Sequence, residues 1–150
     1  MIIIQDTREK IPWDFLEYEG CEAQVVEKLE AGDYMIKDNY DIIIDRKHSV
    51  SELAINLGKY IKRFRAELER MQKYKFRYII CEFPYDKLLM FPQGCNLPKS
   101  VVNRIRVKGI FLAKKTGILA EEFGVEFVFC ANRIEAEMKA MELLQEVANV

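Results

Sequence analysis

The chain has 150 residues, of which 50% are hydrophobic and 31% are charged. This composition is typical of a globular protein, and the length favours one domain over residues 1–150. The longest uncharged stretch, Leu88–Pro98, contains two prolines and a glycine, whereas a membrane-spanning helix needs about 20 mostly apolar residues. The sequence therefore predicts no membrane partner.

The net charge of −1 hides an uneven distribution of charge along the chain. Residues 59–77 carry eight basic and two acidic side chains, and residues 87–120 carry seven basic side chains and no acidic one. Basic runs also occur on ordinary exposed helix faces. When they form one surface, however, they attract polyanions, so the acidic overall balance does not exclude a nucleic-acid partner.

The first 46 residues alternate between strand-like and helix-like apolar patterns. We predict a helix where apolar residues recur at helical spacing, and strands where β-branched and alternating residues dominate. A turn at residues 38–39 joins two of the strands. The predicted strands are Met1–Ile4, Asp33–Lys37 and Tyr40–Arg46, and the predicted helix is Cys21–Glu30.

A long amphipathic helix is predicted directly after these strands. Ser49 and Glu52 have the spacing of a capping box, which marks a helix start. Apolar residues then recur every three or four positions as far as Met71, as expected for a helix with one buried face. Gly58 interrupts the pattern and predicts a bend.

The second half is predicted to hold two more strands, Phe76–Glu82 and Val125–Cys130. We expect residues 83–99 to be irregular, and residues 99–123 to be helical with a break near Gly109. Asn132 is positioned to cap a last helix. The predicted buried face of that helix carries Ile134, Met138, Met141, Leu144 and Ala148. Strands alternating with helices indicate an α/β or mixed α+β fold around one central sheet.

Acidic residues stand at the ends of four predicted strands: Asp6, Asp33, Asp45 and Glu82. Ligand sites in sheets of this class form where strand ends converge. Asp33 and Asp45 belong to the two strands of one hairpin. A three-residue loop would place them opposite each other, whereas a two-residue loop would place Asp33 opposite Ile44, and the sequence leaves both registers open.

Asp45 and Lys47 are two residues apart on a strand, so their side chains face the same side. Two carboxylates suit a hard divalent cation such as Mg²⁺. Such a cation polarises a phosphate oxygen and activates a bound water, and a nearby ammonium orients that water or neutralises developing charge. The spacing therefore indicates metal-assisted phosphate chemistry, although acids and lysines are also common at strand ends.

A polar stripe follows this cluster along the predicted long helix. Glu52, Asn56, Lys59 and Arg63 recur at helical spacing, and Arg70 continues the series. The helix begins beside Lys47, so the stripe leads away from the predicted metal site. A basic stripe of this kind suits a nucleic-acid backbone, although the outer face of an amphipathic helix has a similar pattern.

These residues resemble the XPF-type (ERCC-type) endonuclease domain, a branch of the PD-(D/E)XK nucleases, over almost the whole chain. The family signature has Gly-Asp, a variable gap, then Glu-Arg-Lys, three residues and Asp. The matching segments are Asp6-Thr7-Arg8-Glu9, Ala31-Gly32-Asp33-Tyr34, Ile44-Asp45-Arg46-Lys47 and the start of the long helix. Asp45 replaces the usual Glu, and the acid at the helix start, Glu52, comes one residue late.

The resemblance implies a restriction-endonuclease-like core of three layers, with a central mixed sheet flanked by helices. It also implies that Asp33 and Asp45 bind Mg²⁺ or Mn²⁺ together with the main-chain carbonyl of Arg46, and that Lys47 acts on the attacking water. Asp6 and Glu9 would shape the acidic site, with Asp6 near a metal. Arg8 and Arg46 would contact phosphate or brace the carboxylates.

The implied activity is hydrolysis of DNA near a flap, fork or junction, in repair, recombination or replication. The implied partners are branched DNA and a second copy joined through the C-terminal helices. The alternative is a catalytically inactive paralogue that only binds DNA or dimerises. Because the chain is compact and free of repeats, we expect a cytoplasmic bacterial or phage protein. Expected DNA contacts are Lys59, Lys62, Arg63, Arg70, Arg104, Arg106 and Lys108, with Glu52 at the edge of the site.

Residues 84–108 are extra relative to the resemblance. They are free of acidic residues after Asp86, and their prolines and glycine predict an irregular segment. We expect this segment to be a flap that contacts DNA and that the fold does not need.

Overall fold

The computed structural model describes residues 1–149, which form a mixed β-sheet between two layers of helices and loops. Within these residues the sheet has the strand order β2-β1-β3-β4-β5-β6. The strands are β1 (Ile2–Asp6), β2 (Ala23–Glu27), β3 (Tyr34–Ile36), β4 (Asn39–Lys47), β5 (Phe76–Cys81) and β6 (Glu126–Phe129). β1 and β2 are parallel, β3 is antiparallel to β1 and β4, and β4, β5 and β6 are parallel.

The helices lie on both faces of this sheet. They are α1 (Val50–Leu57), α2 (Ile61–Arg70), α3 (Tyr85–Met90), α4 (Lys99–Val102), α5 (Gly109–Phe123) and α6 (Arg133–Ala148), with a 3₁₀ turn at Met71–Lys73. No helix within residues 1–149 combines the length and the apolarity needed to cross a bilayer.

The three isoleucines of β4 divide the core into two halves. Ile43 faces the cluster that includes residues of α1, α2, α3 and α5, whereas Ile42 and Ile44 face the cluster with Trp13 and α6. All three are fully buried, which confirms that this strand is covered on both faces. Each such side chain contributes about 1.5–3 kcal/mol of burial free energy, so β4 is held firmly where its end enters the site.

The predicted helix Cys21–Glu30 is wrong, because residues 23–27 form strand β2. Ile4 of β1 pairs in parallel with Val25 of β2. Val25 packs against the core while Val26 is 60% exposed, so the two side chains alternate as in a strand. Tertiary pairing with β1 decides the conformation, since a short segment with two adjacent valines fits either pattern.

The predicted long helix is two helices, because Gly58 ends α1 and Ile61 begins α2. The Ser49 side chain accepts a hydrogen bond from the Glu52 main-chain N–H, which confirms the predicted cap. Glu52 accepts its reciprocal bond from the main-chain N–H of His48 rather than from that of Ser49. The break means that residues before and after Gly58 do not share one helix face.

The segment 84–108 is more ordered than predicted, since it contains α3 and α4. Leu88 is fully buried and Phe91 is 7% exposed, and both belong to the main core cluster. The Gly109 N–H donates to the Phe91 carbonyl at 3.0 Å, and a Cβ on Gly109 would lie 2.1 Å from the Leu88 carbonyl oxygen. Removing the whole segment would therefore expose apolar residues of the core, which argues against the expectation that the fold does not need it.

The last helix has its predicted cap but a different buried face. The Asn132 side chain accepts a hydrogen bond from the Glu135 N–H at 2.9 Å. Met141 and Leu144 are buried as predicted, whereas the predicted core residues Ile134 and Met138 are 70% and 55% exposed. Ala148 is also exposed. The residues of α6 that are buried against the sheet are Ala136, Ala140, Met141, Leu143 and Leu144.

Candidate active site

Asp33 and Asp45 lie side by side where the β3–β4 hairpin opens. Tyr34 pairs with Ile44, and this register places Asp33 opposite Asp45 one residue further on. The Asp33 N–H donates to the Ile44 carbonyl at 2.8 Å, which continues the ladder. The register shifts between Met35 and Ile36, so a bulge rather than the turn alone decides which residues face each other.

Gly32 is required at the start of this hairpin. Its φ is +70°, and a Cβ there would lie 2.6 Å from Cγ1 of Ile43. Its N–H donates to the Glu67 carboxylate at 2.6 Å. Only glycine adopts this conformation so close to a buried strand without strain, which explains why Gly precedes Asp33.

Asp45 and Lys47 form an ion pair on one face of β4. Lys47 Nζ lies 3.1 Å from Asp45 Oδ2 and 3.9 Å from Glu52 Oε1, and 4.9 Å from the centroid of the Phe64 ring. Burial acts to lower the pKa of Lys47, but the charges of Asp45 and Glu52 outweigh it, so the pKa is raised. Lys47 is therefore a positively charged group at neutral pH.

The two carboxylates are close enough to influence each other's protonation. Burial, followed by the charges of Asp45 and Glu9, raises the pKa of Asp33 well above its usual value, although the Arg46 N–H donates to Asp33 Oδ2 at 2.7 Å. Asp45 Oδ2 is buried without a hydrogen bond, because its contact with Lys47 lacks suitable geometry. Two adjacent carboxylates of which only Asp45 has an ammonium partner, and whose mutual repulsion raises the pKa of Asp33, fit a further cation.

The site offers two carboxylates rather than a complete cage. Within residues 1–149, no three His, Cys, Asp or Glu side chains converge so as to hold a metal ion by themselves. Mg²⁺ is usually bound through one or two carboxylates, with waters and substrate phosphates as the other ligands. The donor set of Asp33 and Asp45 is therefore compatible with Mg²⁺ that is completed by a main-chain carbonyl, water and substrate.

Arg46 forms the buried support of the site. Its Nε donates to Glu82 Oε2 at 3.0 Å, and its Nη1 donates to Glu9 Oε2 at 2.8 Å and to the Ile11 carbonyl at 2.6 Å. The guanidinium lies 4.8 Å from the centroid of the Trp13 ring. Because the side chain is fully buried, the geometry favours the bracing role over the phosphate contact for Arg46.

Asp6 and Arg8 form a second ion pair beside the site. Asp6 Oδ2 accepts from Arg8 Nε at 2.7 Å and Oδ1 accepts from the Leu29 N–H at 2.8 Å, so both oxygens of this fully buried carboxylate are occupied. Burial acts to raise the pKa of Asp6, but the hydrogen bonds from Arg8 and Leu29 outweigh it and lower the pKa. Asp6 therefore braces the loop that follows β1.

With the exception of Asp6, the predicted catalytic residues line one open cleft of about 370 Å³. Asp33, Asp45 and Lys47 lie in it, and the side chain of Arg8 is 64% exposed at its edge. Asp6 does not line this cleft. The lining residues are Arg8, Glu9, Lys10, Ile11, Asp33, Asp45, Arg46, Lys47, His48 and Glu52.

The predicted DNA-contacting residues differ in whether a carboxylate or carbonyl of the protein already engages their positive charge. Arg63 lies 4.6 Å and Lys59 Nζ 5.3 Å from the centroid of the Tyr60 ring. Arg70 instead donates to the Glu30 carbonyl and to the Glu67 carboxylate, so it does not extend the stripe as a free charge. All of the predicted basic residues are exposed, Arg70 included, and the others are Lys59, Lys62, Arg63, Arg104, Arg106 and Lys108.

The sequence marked Glu82 as a strand-end acid without a role, and it did not indicate Tyr34 or Trp13 as site residues. Trp13 Nε1 donates to Glu82 Oε2 at 2.7 Å, and the Tyr34 hydroxyl donates to Glu9 Oε2 at 2.7 Å. The position of Glu82 at a strand end is a signal that could have found it. Nothing local marks Trp13, which is fully buried and reaches the site only through the folded loop.

Two solved structures of XPF from Aeropyrum pernix are similar to this chain. One aligns with a TM-score of 0.70 at 22% identity, and the other, in complex with DNA, aligns with a TM-score of 0.69 at 23% identity. Each alignment covers 99% of this chain and 65% of that chain, so the chain spans about 65% of the length of these structures. At this identity the similarity establishes the fold, which confirms the predicted three-layer core.

The search of curated proteins returned no match. The sequence profile of the ERCC4 domain matches residues 5–109, which is more than half of the chain and includes the cleft, α1 and α2. The chain therefore belongs to the ERCC4 domain family.

Proposed function

We propose that this chain is a metal-dependent endonuclease that hydrolyses phosphodiester bonds of DNA near branches such as flaps or forks. The observation that carries the proposal is the placement of Asp33 and Asp45 beside Lys47 in an open cleft. Membership of the ERCC4 domain family supports it. The similar fold of an XPF structure in complex with DNA supports the choice of DNA as substrate.

Asp33 and Asp45 would hold Mg²⁺ or Mn²⁺, with the main-chain carbonyl of Arg46 as a further ligand. The side-by-side placement of the two carboxylates and the raised pKa of Asp33, which burial and the neighbouring charges of Asp45 and Glu9 cause, support this assignment. When bound, such an ion polarises a phosphate oxygen and lowers the pKa of a coordinated water.

The residues of the chain itself position the substrate. Lys47 places a positive charge beside the carboxylates, where it orients the attacking water and neutralises charge that develops on the phosphate. Arg8 extends its exposed guanidinium at the cleft edge toward a neighbouring phosphate. Arg46 holds Glu9 and Glu82 in place, so β4 presents its two reactive side chains in a fixed geometry.

A cleavage assay tests the proposal directly. The substrates are single strands, duplexes, 3′ and 5′ flaps, forks and four-way junctions, each with Mg²⁺, Mn²⁺ or a chelator. We expect cleavage of branched DNA that the chelator abolishes. Binding without cleavage in every metal would support the alternative, a catalytically inactive DNA-binding or dimerisation paralogue, and would contradict the proposal.

We further propose that the active unit is a homodimer formed through the C-terminal helices. Ile134 and Met138 of α6 are 70% and 55% exposed, which supports an apolar contact surface on that helix. Sedimentation velocity tests this proposal. We expect a dimer that Met138→Glu converts to monomer and that Val26→Glu, at a residue 60% exposed on β2, leaves intact.

A further inference from the structure

We propose that an apolar groove beside α1 binds unpaired bases of the DNA strand that is cut in the cleft. The proposal rests on the proposed nuclease function and adds a subsite for single-stranded DNA. The groove has a volume of about 370 Å³ and lies between α1, the segment after α3, and α5. Its apolar walls are formed chiefly by Ala54, Ile55, Val101, Ile105, Val107 and Leu112.

The walls leave large aliphatic side chains in water. Ile55 is 47% exposed and Val107 is 49% exposed, although both line a concave surface. Covering such side chains gains about 25 cal/mol per Å² of apolar area. An occupant must therefore offer an apolar face, which the flat face of a nucleobase does.

The charges around the groove complement a phosphate backbone. Lys59 and Lys115 line the groove, and no acidic residue does so within the described chain. Lys115 Nζ donates to the Leu57 carbonyl at 2.9 Å, which holds this charge at the edge of the groove. Arg104 and Arg106, which flank the lining residue Ile105 along the chain, are exposed. The groove thus combines basic residues with an apolar floor to which Phe91 contributes an aromatic ring, and single-stranded nucleic acid binds where a basic groove presents aromatic surface to the bases.

A continuous surface joins the groove to the active-site cleft. A smaller cavity of about 160 Å³ lies between them and shares His48 with the cleft and Ser51 with the groove. This smaller cavity is lined by the cation of Lys87, by the side-chain amide of Asn96, which can donate hydrogen bonds, and by the carboxylate of Glu82. The route passes around the first turn of α1.

The groove discriminates unpaired from paired bases for a geometric reason. In a duplex the bases are stacked and present only their edges, so their apolar faces cannot reach Ile55 or Val107. Unpaired bases can turn outward and pack their faces on side chains. The groove therefore selects a strand that is unpaired close to the cleaved phosphate.

The test compares two matched double variants. Ile55→Ser with Val107→Ser removes apolar surface from the groove, and Leu16→Ser with Val26→Ser makes the same change at exposed sites elsewhere. Fluorescence anisotropy with a chelator present measures binding of a labelled single strand and of a duplex of equal length. We expect the groove variant to bind the single strand roughly tenfold more weakly and the duplex unchanged. The control variant should bind both as the wild type does.

A second readout locates the base. In a series of flap substrates with 2-aminopurine at successive positions near the cut, at least one position should change its fluorescence on binding to the wild type but not to the groove variant. Equal loss of single-strand and duplex affinity, or none, would overturn the inference. So would sedimentation showing that the groove variant only dissociates a dimer, since the groove would then be an interface between copies. Single-strand binding by the groove without any cleavage would instead contradict the nuclease function alone.

Discussion

Lys47 Nζ lies 3.1 Å from Asp45 Oδ2 on one face of β4, while Arg46, the residue between them, points to the opposite face. The side chains of Asp45 and Lys47 therefore form the ion pair of the cleft, and the side chain of Arg46 lies on the other face of the sheet between Glu9 and Glu82. The alternation of one strand thus supplies a reactive pair and its support from three consecutive residues. Variants of Asp45 and Lys47 should therefore affect cleavage, and variants of Arg46 should affect the stability of the fold.

Asp45→Asn should abolish metal-dependent cleavage and retain DNA binding. The amide keeps the shape of the side chain but removes one negative charge from the predicted metal site. We expect the cleavage rate to fall at least about 100-fold, with binding in chelator within twofold of the wild type. Asp41→Asn, at an exposed residue of the same strand, is the control and should cleave normally. Full activity of Asp45→Asn would remove Asp45 from the metal site.

Lys47→Met should lower turnover far more than binding. Methionine keeps the contact with Phe64 and removes the charge beside Asp45. Single-turnover kinetics should show a large drop in the chemical step, while the dissociation constant for DNA changes little. Lys37→Met, at an exposed residue of the β3–β4 turn, is the matched control. If both constants change equally, Lys47 is only a DNA-binding charge.

Arg46→Met should destabilise the fold. The change leaves the buried carboxylates of Glu9 and Glu82 without their shared cation, and removing one partner of a buried ion pair costs about 3–5 kcal/mol. Chemical denaturation measures this loss. Arg46→Lys should rescue little, because an ammonium cannot contact both carboxylates and the Ile11 carbonyl as the guanidinium does. Arg104→Met, at an exposed arginine, should be nearly neutral, and equal losses for Arg46→Met and Arg104→Met would refute the bracing role.

The buried carboxylate of Asp6 should make the free energy of unfolding depend on pH in the acid range. The pKa of Asp6 is lowered in the folded state because the bonds from Arg8 and Leu29 outweigh burial. A carboxylate whose pKa is lowered by folding stabilises the fold at pH values above its pKa in the unfolded state, which is about 3.9. It loses that contribution as the pH falls through its pKa in the folded state. The free energy of unfolding should therefore differ most between wild type and Asp6→Asn at pH 7, and the difference should shrink towards pH 3. A constant difference would contradict this account.

Arg63 and Arg70 should differ in their effect on DNA affinity. The exposed Arg63 is free to neutralise a phosphate, whereas Arg70 is engaged by Glu67 and by the Glu30 carbonyl. The association constant for DNA should fall as a power of the salt concentration. The exponent should decrease by about one in Arg63→Ala and by less in Arg70→Ala. A wild-type affinity that does not vary with salt would contradict a backbone-binding surface altogether.

The sequence by itself determined the parts of the site that depend on neighbours along the chain. Alternation places Asp45 and Lys47 on one face of β4, and the Ser49 and Asn132 caps mark the helix starts where the structure has them. These features follow from local backbone geometry and local hydrogen bonds, so a short stretch of sequence contains them. The motif around Asp33 and Asp45 likewise identified the family.

Only the tertiary structure decided which distant groups meet. The bulge after Met35 brings Asp33 opposite Asp45, and pairing with β1 turns residues 23–27 from a predicted helix into a strand. Asp6 and Arg70 are chemically suited to a metal or a phosphate, yet nearby donors and carboxylates already engage them. Long-range contacts determine these outcomes because one residue type satisfies its charge with whichever partner the fold places beside it.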